Sequence, residues 1–253
     1  GDNTSIVADA FYIDTSHVYC TTPALPSSSS SSASTLLYVE VSVNGISFSD
    51  NGNSYSTYRP LELARAEPQR VLAAGGSTIS IIPVAESSLA GGSNYSCRFG
   101  SFGRSAAIYD GTANLVHCAV PAMGAGRTSV ELSLNGLDYV IVPGQLVGFE
   151  AERFEPTIGM SGVATTVHVY GTGLSTRAEL DTPRCRFETD DGASSVWEAN
   201  ATYDESLGAL ACTLVPPFAS AIHLSINLIG GGSSDYSQAN GTFDAFAPPR
   251  LTA

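Results

Sequence analysis

One phrase recurs three times in this chain. Cys20-Thr-Thr-Pro23 is followed by Val39-Glu-Val41-Ser42-Val43-Asn44-Gly45. Cys118-Ala-Val-Pro121 is followed by Val130-Glu-Leu132-Ser133-Leu134-Asn135-Gly136. Cys212-Thr-Leu-Val-Pro216 is followed by Ile222-His-Leu224-Ser225-Ile226-Asn227. Aligned on their asparagines, the copies stand 91 and 92 residues apart (135−44 and 227−135). That period is the length of a whole β-domain and far exceeds a solenoid turn. The chain therefore reads as an array of similar domains, and its function as a property of the array.

Length and composition agree. At 253 residues the chain has room for about two and a half such domains. Hydrophobic residues make up 43%, enough for real cores, while charged residues make up only 14%. That balance, with abundant Gly, Ser and Thr, suits short strands joined by turns better than helices. Thr78–Ile82, Val130–Leu134 and Thr166–Tyr170 alternate or run apolar as strands do. Asn44-Gly45 and Asn135-Gly136 follow strands and predict type I′ hairpins, which need positive φ at both turn residues. Turns every 8–12 residues and roughly seven strands per repeat spell a β-sandwich.

Two further cysteines sharpen the domain pattern. Cys97-Arg-Phe99 and Cys185-Arg-Phe187 precede the Cys-x-x-Pro phrase by 21 and 27 residues (118−97 and 212−185). Repeats two and three then each hold their own pair, which predicts disulfides Cys97–Cys118 and Cys185–Cys212 and an oxidising compartment. Pairs of small buried hydrophobes in a reduced protein are the alternative. Cys20 has no equivalent upstream partner, so it is expected to be unpaired within the chain. Pro248-Pro249-Arg250-Leu251 resembles the entry into repeat two at Glu67-Pro68-Gln69-Arg70-Val71. The expected organisation is residues 1–61 as the C-terminal part of one domain, 62–149 and 150–246 as full domains, and 247–253 as a linker or first strand. The expectation is a segment of a longer array, or a subunit whose end domains are completed by neighbours.

The ordered motifs resemble the immunoglobulin-like fold shared by plexins and transcription factors, the IPT/TIG family. Repeat two carries Pro68, Gly75-Gly76, Ile79–Ile82, Cys97-Arg-Phe99-Gly100, Cys118–Pro121 and Val130–Tyr139. Repeat three carries Pro156, Gly159, Gly162, Val167–Gly173, Cys185-Arg-Phe187 and Cys212–Pro216. It departs at Asn227, where Leu228 replaces the glycine and Gly230–Gly232 follow. The resemblance implies an all-β fold of tandem immunoglobulin-like sandwiches. It covers receptor ectodomains, surface proteins, DNA-binding factors and accessory modules of carbohydrate-active enzymes, so it does not choose a function.

Several functions are disfavoured. A net charge of −13 with 11 scattered basic residues argues against a nucleic-acid partner. No stretch approaches the roughly 18 apolar residues of a membrane helix, so no membrane insertion is expected within this segment. His17, His117, His168 and His223 share no ligand-like spacing with a carboxylate. No Gly-x-Ser-x-Gly elbow is present, and Gly230–Gly232 lacks the lysine of a phosphate loop. Asp50-Asn-Gly-Asn53 reads as a hairpin tip, short of a full calcium loop, and Asp190-Asp191 as a solvated loop. Trp197, a lone aromatic, is read as packing a sheet face. No catalytic, metal or cofactor site is expected.

Glycan attachment is the remaining chemistry. Asn3, Asn94, Asn200 and Asn240 open Asn-x-Ser/Thr sequons, each placed in or beside an expected loop. Ser27, Ser28, Ser29, Ser30, Ser31 and Ser32 form an inserted Ser-rich loop beside Pro23 and Pro26, a candidate for O-linked sugar or a plain solvated linker. The reading that follows is a glycosylated extracellular or cell-surface protein, structural or adhesive. It would form a stalk, hair or filament head to tail, partnered by copies of itself or by adjacent repeats. The ectodomain of a plexin-like receptor and an accessory carbohydrate-binding module are the alternatives.

Overall fold

A computed structural model describes residues 5–23, 34–175, 183–189, 195–229 and 235–249, and among these there is no helix. Asn3, Ser27–Ser32, Asp190, Asp191, Gly230–Gly232 and the last four residues lie outside the described residues. The chain divides into two compact units, Gly1–Ser32 and Ala33–Ala253.

The described part of the first unit holds a hairpin of β1 (Ala10–Asp14) and β2 (His17–Cys20), with Ala10 opposite Cys20. Asp14 closes its turn by accepting the Ser16 amide at 2.8 Å, an Asx turn. That bond, with the imidazole of His17 beside it, holds the Asp14 carboxyl below its ordinary range.

The second unit begins with β3 (Ser34–Tyr38) paired antiparallel to β4 (Ser54–Tyr58). A first sandwich follows. Its strands are β5 (Leu63–Glu67), β6 (Arg70–Leu72), β7 (Thr78–Pro83), β8 (Ser96–Phe99), β9 (Arg104–Asp110), β10 (Leu115–Ala119), β11 (Gly126–Thr128), β12 (Val130–Ser133), β13 (Val140–Ile141) and the first half of β14 (Leu146–Glu155). Alternation drives the layering: in β7, Ile79 and Ile81 are fully buried while Thr78 faces solvent. One sheet runs β5-β7-β10-β9 and the other β9-β8-β12-β13. Strand β9 belongs to both, because Arg104–Ala106 lies beside β8 and Ala107–Asp110 beside β10.

The second sandwich repeats this plan. It comprises the second half of β14, β15 (Ile158–Met160), β16 (Thr165–Thr172), β17 (Arg184–Thr189), β18 (Val196–Asp204), β19 (Ala209–Leu214), β20 (Ala221–Asn227), β21 (Ser237–Gln238) and β22 (Phe243–Phe246). Strand β18 turns the same corner: Val196–Asn200 lies beside β17 and Ala201–Asp204 beside β19. The fold is all-β, tandem immunoglobulin-like sandwiches.

The disulfides sit at these corners. Cys97–Cys118 joins β8 to β10, and Cys185–Cys212 joins β17 to β19, with Cα separations of 6.1 and 6.2 Å. Each ties one sheet to the other across the core, next to the strand that crosses between them. All four half-cystines are fully buried, beside Phe99 in one core and Phe187 in the other.

Three sequence expectations are corrected. First, the Asn-Gly pairs are not type I′ turns, since only the glycines have positive φ, 71° at Gly45 and 76° at Gly136. The asparagine side chain does the work instead. Asn44 Oδ1 accepts the amides of Ile46 and Ser47, and Asn135 Oδ1 those of Leu137 and Asp138, all at 2.9 Å. Second, the third phrase slides by two residues. Val130 stands opposite Phe99, and the residue opposite Phe187 is Leu224 rather than Ile222. A slip of two preserves the in–out alternation, so pattern alone does not reveal it. Third, Asn200 is not in a loop: it lies within β18, at the crossing point.

Candidate functional site at the sandwich handover

The most constructed feature of the second unit is the passage from one sandwich to the next. Strand β14 is ten residues long and serves both. Val147 pairs with Arg70 of β6, and Leu146 with Thr128 of β11, in the first sandwich. From Glu150 onward the strand pairs with β16 of the second. No linker intervenes, so the backbone ladder itself passes between the sandwiches.

Side chains lock this passage. Leu146 belongs to the first core, whereas Phe149, three residues on, is fully buried in the second. Leu72 of β6 also packs against the second core, and the Ala73 amide donates to the Phe149 carbonyl at 3.0 Å. Arg70 reaches across, its Nη1 donating to Gly173 O at 2.8 Å and its Nη2 to Ser175 O. Gly173, with φ of +74°, leaves no room for a side chain, because a Cβ there would collide with the Gly148 carbonyl.

The handover has counterparts on either side. Tyr58, at the end of β4, packs against the core of the first sandwich as Phe149 packs into the second. Phe246, at the end of β22, occupies the equivalent place after the second sandwich, since Met160–Phe246 is the same parallel pair as Leu72–Phe149. Phe246 is 44% exposed. Sequence reasoning missed this aromatic series. A signal existed: Tyr58 and Phe149 each stand fourteen residues beyond the asparagine of an Asn-Gly pair.

A second repeated feature explains the arginine of the Cys-Arg-Phe phrase. Arg98 lies over the Tyr139 ring at 4.5 Å and pairs with Glu131, while Arg186 lies over Tyr236 at 5.4 Å. The two tyrosines are tuned in opposite directions. Tyr139 shares a 2.7 Å bond with the Ser96 hydroxyl and sits beside Arg104 and Arg98, which draws its phenol below the usual range. Tyr236 is pushed up to about 12, first by burial and then because its hydroxyl donates to Glu198 at 2.6 Å. Glu198 in turn is held below the usual carboxylate range by that hydroxyl and by Arg184.

The remaining sequence candidates are not brought together. Asn94, Asn200 and Asn240 are all exposed, on a loop before β8, on β18 and on a loop before β22. Cys20 is a free, exposed thiol. His17 contacts Asp14, His117 shares a 3.0 Å hydrogen bond with Ser80, and His168 and His223 lie half-buried on β16 and β20. Among the described residues no three His, Cys, Asp or Glu side chains cluster as metal ligands. Trp197 is half-buried, its ring stacked 6.0 Å from Phe187.

No family model matches the chain, and no curated protein matches it. Among solved structures it is similar to the full extracellular region of plexin A4, at 17% identity over 89% of this chain and a TM-score of 0.42. It is also similar to a C-terminal 282-residue fragment of intimin, at 15% identity over 76% of this chain and 64% of the other, TM-score 0.31. A third similar structure is the Escherichia coli adhesin FdeC, at 14% identity over 76% of this chain and 66% of the other, TM-score 0.27. The chain spans about a fifth of the length of the plexin A4 region, 19%. In motif order and in its paired sandwiches it resembles IPT/TIG-like arrays.

Proposed function

We propose that this chain is a segment of an extracellular structural or adhesive array, forming a glycosylated surface stalk, hair or filament by head-to-tail assembly. The observation that carries this reading is the aromatic handover. Phe149 is fully buried in the core of the second sandwich, Tyr58 packs partly buried against the core of the first, and Phe246 presents the same group 44% exposed. A further sandwich entering there would bury it as Phe149 is buried. Buried disulfides support an oxidising, extracellular setting, and exposed sequons support glycan attachment. The chain works by spacing and contact, not by catalysis.

Electron microscopy and sedimentation of the secreted protein test the reading. Particles with the two sandwiches at one constant angle, joining end to end with rising concentration, are the expected result. Phe246→Asp should leave them single. Wild-type particles that never join, with Phe246→Asp behaving identically, would overturn head-to-tail assembly. Accumulation of the native protein in a reducing compartment would overturn the extracellular assignment.

A further inference from the structure

Val39–Ser42 has the sequence of a strand and does not form one. It reads Val-Glu-Val-Ser, against Val-Glu-Leu-Ser in β12. In β12 the apolar positions Val130, Leu132 and Leu134 are 2%, 0% and 0% exposed, while Val39, Val41 and Val43 are 40%, 37% and 98% exposed. The same local sequence thus has two fates, and the difference lies in its neighbours. Strand β12 is flanked by β13 on one edge and β8 on the other. Among the described residues, Val39–Ser42 has the first neighbour only. The Val39 amide donates to Asn53 O, the Ser49 amide to Val41 O and the Val41 amide to Ser49 Oγ, each at 2.9 Å. By strand alternation the amides and carbonyls of Glu40 and Ser42 point the other way, and they have no backbone partner among the described residues. An apolar segment hydrogen-bonded along one edge and open along the other is a template for an added strand.

The first sandwich specifies what fits. In β8, Phe99 stands opposite Val130, Arg98 opposite Glu131 and Cys97 opposite Leu132. Arg98 is held twice, by the Glu131 carboxylate and by the Tyr139 ring. Val39-Glu40-Val41 repeats the first three partners, and Phe48 repeats Tyr139, since each stands four residues beyond the asparagine of Asn-Gly. Glu40 and Phe48 are both exposed, Phe48 by 45%.

We propose that the open edge of Val39–Ser42 accepts an antiparallel strand of the Cys-Arg-Phe type from another polypeptide segment. Its Phe lies opposite Val39, its Arg opposite Glu40 and over Phe48, and its Cys opposite Val41. The donor is not either completed sandwich of a second copy, because Ser96–Phe99 and Arg184–Thr189 are each paired on both edges and disulfide-bonded. This deepens the assembly reading by naming a partner, and rests on it only for the kind of chain that supplies the strand.

The probe is a synthetic peptide patterned on Tyr95–Phe102 with C97S, so that Cys20 takes no part, added to the full chain. Hydrogen exchange should slow at the Glu40 and Ser42 amides and stay unchanged at Val130–Ser133. A peptide also carrying R98E should bind about fivefold more weakly, the combined worth of an exposed ion pair and a cation–π contact. Glu40→Arg should restore the ion-pair share of its binding. Absence of slowed exchange, or slowed exchange without this charge reversal, overturns the proposal. Sedimentation without peptide separates the two readings: end-to-end joining with no protection at Glu40 sinks the strand site alone, and protection without joining sinks the assembly alone.

Discussion

Arg70 reaches out of one sandwich and donates its Nη1 proton to the carbonyl oxygen of Gly173 in the next, at 2.8 Å. With its second bond, to Ser175 O, it is the polar half of a junction whose apolar half is Phe149 and Leu72. Arg70→Ala should leave both sandwiches folded and weaken their mutual fixation by about 1 kcal/mol, the net worth of such partly exposed hydrogen bonds. Residual dipolar couplings of the two sandwiches report it. Identical relative alignment in variant and wild type would show that the arginine does not hold the angle.

Two equivalent phenylalanines should behave oppositely. Phe149 is fully buried, so Phe149→Ala leaves a cavity and should destabilise the second sandwich by about 3–5 kcal/mol. Phe246 is 44% exposed, and Phe246→Ala should cost less than about 0.5 kcal/mol in the isolated chain. Thermal unfolding of the two variants checks the contrast.

The disulfides enclose separate chain loops of 21 and 27 residues in separate sandwiches. Removing either, as Cys97→Ala with Cys118→Ala or Cys185→Ala with Cys212→Ala, should cost about 3 kcal/mol in the chain-entropy picture. Denaturant titration followed by Trp197 fluorescence should register loss of the second bridge and ignore loss of the first. Equal responses to both would mean that the sandwiches unfold as one.

Alkaline pH should loosen the second sandwich first. The folded value of Tyr236, about 12, lies above its ordinary 10.0. The neutral phenol is therefore favoured in the folded chain. Its contribution is complete below the ordinary value and is lost as pH rises from there through about 12. Tyr236→Phe should flatten that part of the stability curve. Glu198 has the opposite sign, its lowered value giving a contribution present at neutral pH and lost on acidification. Unfolding midpoints across the alkaline range, for both proteins, are the measurement.

Peptide mapping with and without enzymatic deglycosylation should find sugar on Asn94 and Asn200 at least, since both side chains are exposed. Unmodified peptides at every sequon of the secreted protein would refute this.

The repeat, the strands and the cysteine pairs were legible in the sequence because each is a local pattern that recurs. Ile79, Ile81, Val130 and Leu132 alternate as a half-buried strand must, and every one is buried. The Asn-Gly pairs mark turns in the sequence, but the turn type is decided by the side-chain oxygens of Asn44 and Asn135, which supply a bond that a backbone rule does not count. Asn200 looks like a loop residue in sequence because β18 carries polar residues on its outward face at the very point where it changes sheets.

What the sequence determined by itself was the identity of the repeating unit, since period-2 alternation and paired cysteines are properties of neighbours along the chain. The tertiary structure alone decided which copy of a pattern becomes a strand. Val130–Ser133 and Val39–Ser42 share their local preferences, yet only the first has β8 alongside it to take its backbone hydrogen bonds and cover its valine. It also decided that Phe149 serves the second core rather than the first. That choice depends on where β14 changes partners, and partner choice is a long-range property that no window of sequence contains.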